Sequence, residues 1–194
     1  MIKTALVPIA EGSEELEAVT IIDVLRRAGV EVTVASANDG EKLQICGSSG
    51  TKIVADKMLH NCADNTYDLI AVPGGIPGAE HLAEHPVLDS LLRKQAQQEK
   101  LIGAICAAPA LVLASKGLLL DKIATCYPSY QKTLEAKEVD GEARVVVDGN
   151  YITSQGPGTA LDFALELVEQ LSGVVKREEV GAPMVLTTTA TAYY

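Results

Sequence analysis

The chain has 194 residues, 47% hydrophobic but only 4% aromatic, with a formal net charge of −10 at pH 7. That length suits one large domain, residues 1–194, which can bury most of its unfolded surface without covalent staples. An acidic surface excludes nucleic acid and anionic membrane as partners, and a core short of aromatics must be built from Val, Ile, Leu and Ala, which suits a buried parallel sheet under Ala-rich helices.

KTALVPIA (3–10) reads as a first strand, and SEELEAVTIIDVLRRAG (13–29) as a helix stopped by Gly29. VEVTVAS (30–36) is a second strand, Asn38-Asp39-Gly40 a turn, and KLQIC (42–46) with GTKIVAD (50–56) a small hairpin. YDLIAVPGG (67–75) is a third core strand ending in a Gly-Gly turn. Residues 78–100 hold two helices, the second opening at Pro86, where proline is tolerated. LIGAI (101–105) is the fourth core strand and AAPALVLAS (107–115) the helix after it. KIATCY (122–127) reads as a short strand and PSYQKTLEAKE (128–138) as a helix. ARVVVDGNYITSQ (143–155) forms a hairpin turning at Asp148-Gly149-Asn150. GPGTALDFALELVEQLSG (156–173) is a periodic helix, capped by Thr159 and stopped by Gly173, and 186–194 reads as a loosely held tail.

Strand and helix in alternation mean βαβ units: an α/β sandwich of three layers with a mainly parallel sheet. In such folds the ligand site lies beyond the carboxyl ends of the strands. The turn Pro73-Gly74-Gly75, Cys106, the segment SQGPGT (154–159), and Glu14, Glu15 and Glu17 all fall there.

Cys46, Cys62, Cys106 and Cys126 form no C-x-x-C pair, so a reducing cytoplasmic setting is expected. MIKTALVPIAEG at the start has no signal-peptide pattern. The longest apolar stretch, 101–115, is shorter than the roughly 20 residues of a membrane span, and Pro109 interrupts it.

Cys106 sits at a strand-to-helix seam. One reading is an inert core cysteine, since free thiols are among the most buried groups. The other is a nucleophile on a tight turn, exposed by the turn and partly ionised by the helix N-terminus behind it. Such an elbow crowds the residues two places away, here Ala104 and Ala108, as in G-x-S-x-G with cysteine for serine. The first helix adds a partner. Ala18, Ile21, Ile22, Leu25 and Ala28 form its apolar face at 100° per residue, and Glu17 projects within that face. A carboxyl there is costly unless paired or protonated. Glu14 and Glu15 are suited to capping. Leu16 and Val19 point away from the core and are expected to meet a second subunit in a two-fold dimer.

His81 and His85 have the spacing of a zinc pair, but Leu82 stands where H-E-x-x-H has its Glu, so no metal site is expected. PGGIPG and GPG match neither a Walker loop nor the dinucleotide fingerprint, so no nucleotide cofactor is expected.

Four stretches in order, GSEELEAVTIIDVLRRAG, VPGGIPGAE, GAICAAP and TSQGPGTALDFAL, resemble the ThiJ/PfpI superfamily, in the branch that holds the parkinsonism-associated deglycase and bacterial YajL. The resemblance runs from the first strand to the late helix. It implies a flavodoxin-like sandwich, a homodimer and no cofactor. It also implies a reactive, readily oxidised cysteine at Cys106, a partner acid at Glu17 and oxyanion-hole amides at Gly75 and Ala107. Two departures stand out. Tyr127 precedes Pro128 where relatives often carry a histidine, which removes the Cys–His pair of the protease branch and makes Tyr127 a candidate for orienting substrate. Cys46 matches a peripheral family cysteine, and Gly47 and Ser48 follow it where some members have an arginine. Two functions are implied: a glyoxalase or protein deglycase acting on 2-oxoaldehydes or glycated protein, and a redox-switched chaperone or stress sensor that uses Cys106 oxidation.

Overall fold

Each apolar run can be covered on both faces only inside a sheet, and that decides the centre of the fold. The computed structural model of the chain describes residues 2–186, so the tail expected over 186–194 lies outside it apart from Leu186. In chain order come β1 (Thr4–Ile9), α1 (Glu15–Arg27), β2 (Glu31–Ser36), β3 (Gln44–Cys46), β4 (Lys52–Val54) and β5 (Lys57–Met58). Next are β6 (Leu69–Val72), α2 (Gly78–Glu84), α3 (Pro86–Gln97) and β7 (Leu101–Ile105). After a long connection follow β8 (Ile123–Ala124), β9 (Glu138–Val139), β10 (Val145–Asp148), β11 (Tyr151–Ser154), α4 (Ala160–Ser172) and α5 (Val174–Gly181).

A seven-stranded sheet runs in the order β10-β11-β7-β6-β1-β2-β5. All its pairings are parallel except the hairpin of β10 with β11 at one edge. α1 and α4 pack together on one face with α5 against α4, while α2 and α3 lie on the other, giving the expected flavodoxin-like α/β sandwich. α1 buries Ala18, Ile21, Val24 and Leu25, the face its 3.6-residue period marks out. Gly103 lets α4 approach the sheet. A Cβ there would stand 3.0 Å from the Phe163 ring and 2.9 Å from Leu167.

Three segments differ from the sequence reading. Residues 107–115 make a π-type turn, Pro109–Leu113, and a 3-10 turn, Ala114–Lys116, rather than a regular helix; the Ala114 N–H reaches back to the Pro109 carbonyl and widens the coil. PSYQKTLEAKE forms only the 3-10 turn Pro128–Thr133, none of whose residues is buried, and then β9. Helix-favouring Lys and Glu cannot hold a helix there without an apolar face to bury. Thr159 stands at the start of α4, yet its hydroxyl bonds Gly156 and Ser154 rather than an α4 amide. The sequence pattern does not predict β5, which has two residues, or the charge-rich α5.

Candidate active site

β7, β6 and β1 are adjacent, so the turns that follow them, at Cys106, at Gly74-Gly75 and at Ala10–Glu14, lie side by side at the carboxyl edge of the sheet. Backbone bonds lock them together. Cys106 N–H donates to the Ser154 carbonyl at 3.0 Å, Glu14 N–H to the Gly74 carbonyl at 2.9 Å, and Tyr127 N–H to the Cys106 carbonyl at 2.8 Å.

Cys106 has φ of +65°, the left-handed region that a residue with a Cβ enters at a cost of order 1–3 kcal/mol. The strained elbow the sequence implied is therefore present. Ala104 and Ala108 are fully buried on either side, and Gly74 lies beneath, where a Cβ would stand 2.6 Å from the Cys106 Cβ. The side chain is 8% exposed: reachable, yet mostly dry.

Glu17 comes up from α1 and is fully buried. Its Oε2 accepts from Gly74 N–H at 2.8 Å, and Oε1 has no hydrogen-bond partner. Burial pushes this carboxyl up to about 7; the Gly74 amide opposes the rise, the Glu14 charge adds to it, and the nearby Cys106 thiol opposes it. Cys106 moves the same way. Burial and the Glu17 charge push the thiol up to about 12, while the Gly75 and Ala107 amides, both aimed at the sulfur, pull it down. Burial first, and the Glu17 charge after it, thus oppose the partial ionisation of the sulfur expected from the helix N-terminus. Protonating Glu17 removes that repulsion and supplies a donor, so the two groups hand one proton between them.

Gly75 has φ of +89°, and a Cβ there would lie 2.3 Å from Glu14 N and 2.6 Å from the Gly12 carbonyl. Gly75→Ala is therefore expected to cost about 2–4 kcal/mol and to displace the amide that faces the sulfur. Chemical denaturation measures the first effect; an unchanged midpoint contradicts this account of the turn.

The remaining acids divide the work. Glu14 is the N-cap, its Oε2 accepting from Glu17 N–H at 2.7 Å, as expected. Glu15 is not a cap. Its carboxylate accepts from the Ser48 hydroxyl and from the Ser49 and Thr51 amides at 3.0–3.1 Å, clipping the β3–β4 turn to α1. That donor set outweighs burial and holds it down at about 2. Gly47 makes room, since a Cβ there would meet Glu15 Oε2 at 2.5 Å. Tyr127 is tied to Cys106 through its backbone; its ring, 42% exposed, lies against Gly156. Cys126, beside it, is fully buried, and burial pushes its thiol up to about 11. All four cysteines are free thiols, with Cys62 buried and Cys46 half-buried at the end of β3. His81 Nδ1 lies 3.0 Å from the Glu11 carbonyl, and among the described residues no three His, Cys, Asp or Glu side chains gather for a metal. Gly74, whose amide holds Glu17, is the site residue that sequence reasoning missed; its signal was the first glycine of the Pro73-Gly74-Gly75 turn.

The DJ-1/PfpI family model matches residues 3–170. Protein DJ-1 homolog B of Arabidopsis thaliana is 46% identical over 184 residues, 95% of this chain. The chain spans less than half the length of the two Arabidopsis relatives it matches, 42% and 47%. Glutathione-independent glyoxalase DJR-1.2 of Caenorhabditis elegans is 38% identical over 185 residues, 95% of this chain and 97% of that protein. The solved structure of oxidized Toxoplasma gondii DJ-1 superposes with a TM-score of 0.90 at 44% identity, over 94% of this chain and 98% of that one.

Proposed function

Because the chain belongs to the DJ-1/PfpI family, we propose that it is a cysteine enzyme of the glyoxalase type, turning 2-oxoaldehydes such as methylglyoxal into 2-hydroxy acids. The observation that carries this reading is the pairing of an elbow cysteine with a buried carboxyl near neutrality, under two convergent amides. The name of the Caenorhabditis relative supports the reaction class.

The Cys106 sulfur adds to the aldehyde carbon. Glu17 relays the thiol proton to the aldehyde oxygen, which becomes the hydroxyl of a hemithioacetal, with the Gly75 and Ala107 amides facing the negative charge that builds on it. Ionised Glu17 then takes the hydrogen from that carbon as a proton, leaving an enediolate. It returns the proton to the adjacent carbon while the hydroxyl proton moves across to the neighbouring oxygen, which makes a 2-hydroxy thioester. Water cleaves the thioester, releasing the hydroxy acid and restoring the thiol. A carboxyl at about 7 suits both directions of transfer, because it is present in both forms at working pH. Tyr127 would orient the substrate, and glycated amino groups or thiols, in which the aldehyde carbon is held as a hemiaminal or hemithioacetal beside the ketone, are the second substrate class.

Lactate formation from methylglyoxal, followed by proton NMR with added glutathione and metal omitted, tests the reading. Turnover above the buffer rate is expected; a rate equal to buffer contradicts it. A second reading is a redox-sensing chaperone. It is favoured by the unpartnered Glu17 Oε1, which when protonated can donate to an oxygen on an oxidised Cys106. A buffer-level rate together with peroxide-dependent client binding would select that reading.

We further propose a homodimer through α1. Leu16 and Val19 are 51% and 48% exposed, and a cavity of about 290 Å³ beside them is lined by Ile22, Ile53 and Val54. A monomer in sedimentation at micromolar concentration would contradict it. Free thiols favour a reducing cytoplasm, and no helix among the described residues is long and apolar enough to cross a membrane.

A further inference from the structure

Glu17 and Glu14 are both acidic, one turn apart, and joined by the shortest available link: the Glu14 carboxylate accepts the backbone N–H of Glu17 itself at 2.7 Å. A helix could be capped there by a neutral Ser, Thr or Asn. A charged cap does something a neutral one cannot. It places a fixed negative charge beside a carboxyl that is fully buried and has one oxygen without a partner. Glu14 itself is only half-buried and is the N-cap residue of α1.

We propose that Glu14 is a positioning residue of the site: its carboxylate, fixed on the Glu17 amide, keeps a proton on the Glu17 side chain at neutral pH and so keeps that side chain able to donate to Cys106. The groups that face the Glu17 carboxyl are few. From β6 and its turn comes the neutral Gly74 amide, from the elbow after β7 the Cys106 thiol, and from its own helix the Glu14 charge. The Gly74 amide stabilises the ionised form. The Glu14 charge is the one neighbour that, with burial, opposes it. Removing that charge therefore moves Glu17 in one direction only, toward easier ionisation. The consequence reaches the sulfur: an ionised Glu17 repels a thiolate, so losing Glu14 makes Cys106 harder to activate at pH 7.

The proposal rests on the site reading above but is tested without turnover. In protein labelled with 13C at the Glu side-chain carboxyls, with Glu17→Gln used to assign the signal, the Glu17 midpoint is followed by NMR in wild type, Glu14→Gln, Glu14→Asp and Glu14→Ala. Glu14→Gln keeps an acceptor for the cap and loses only the charge. It is expected to lower the midpoint by about half to one pH unit and to slow iodoacetamide labelling of Cys106 at pH 7 several-fold. Glu14→Asp, which keeps the charge and a good cap, is expected to restore both. A Glu14→Gln midpoint equal to wild type, with only Glu14→Ala disturbed, makes Glu14 a structural cap and overturns the proposal. If the midpoint shifts as expected while no variant and no wild type makes lactate, the proposal stands and the glyoxalase reading falls.

Discussion

Cys106→Ser is expected to abolish the proposed lactate formation, with a loss on the order of a thousandfold or more, and to leave the fold intact. Serine matches cysteine closely in size, so the elbow with φ of +65° keeps its shape and the Gly75 and Ala107 amides keep their target. What is lost is chemistry. A serine hydroxyl ionises far above a thiol, and no histidine is among the groups that act on the Cys106 side chain. Glu17, at about 7, is too weak a base to generate an alkoxide. Circular dichroism confirms the fold and proton NMR counts the lactate. Retention of a tenth of the wild-type rate would remove Cys106 from the centre of the reaction.

Glu17→Gln separates activity from stability. Turnover is expected to fall about a hundredfold to ten-thousandfold, because glutamine can hold the Gly74 amide but cannot carry a proton between two carbons. Stability is expected to move the other way. The carboxyl titrates at 4.5 when unfolded and at about 7 when folded, so the native state holds an extra proton between those values. Its contribution is therefore most favourable below about pH 4.5 and is lost as pH rises through 7. Above that, the native state bears an ionised, fully buried carboxylate at a cost of roughly 3 kcal/mol. Glutamine is neutral throughout. The variant should melt about 5 °C or more above wild type at pH 8, with the gap closing toward pH 5. A variant equal to or less stable than wild type at pH 8 contradicts the burial of an ionisable Glu17. The natural residue is then an instance of stability given up for function.

The sheet, α1 and α4 were legible because they are regular and long: β-branched runs between turn signals, and apolar faces at 3.6-residue spacing. The candidate site residues stand out for a related reason. Glu17 breaks an otherwise apolar face, and Cys106 interrupts small residues at a seam. The parts that stayed hidden depend on contacts distant in sequence. Glu15 looks like a helix-start acid until the turn at 48–51 folds onto it. Gly74 looks like turn punctuation until Glu17 arrives from 57 residues away. The wide turn at Pro109–Leu113 has the composition of an ordinary helix, and only its hydrogen bonding to Pro109 reveals otherwise. At Cys106 only one effect on ionisation, the helix N-terminus, is visible in sequence, whereas burial and the neighbouring Glu17 charge, which act the other way, are not.

One measurement bears most directly on the division of labour between sulfur and carboxyl: the intact mass of the Glu17→Gln variant after exposure to methylglyoxal, with the modified residue mapped by peptide sequencing. With the proton carrier gone, addition to the aldehyde proceeds more slowly, water taking the thiol proton, but the hydrogen shift does not proceed. The variant should accumulate one methylglyoxal on Cys106 and release no lactate. Lactate at the wild-type rate, or an adduct on other residues with Cys106 unmodified, would contradict the assignment of nucleophile and proton carrier.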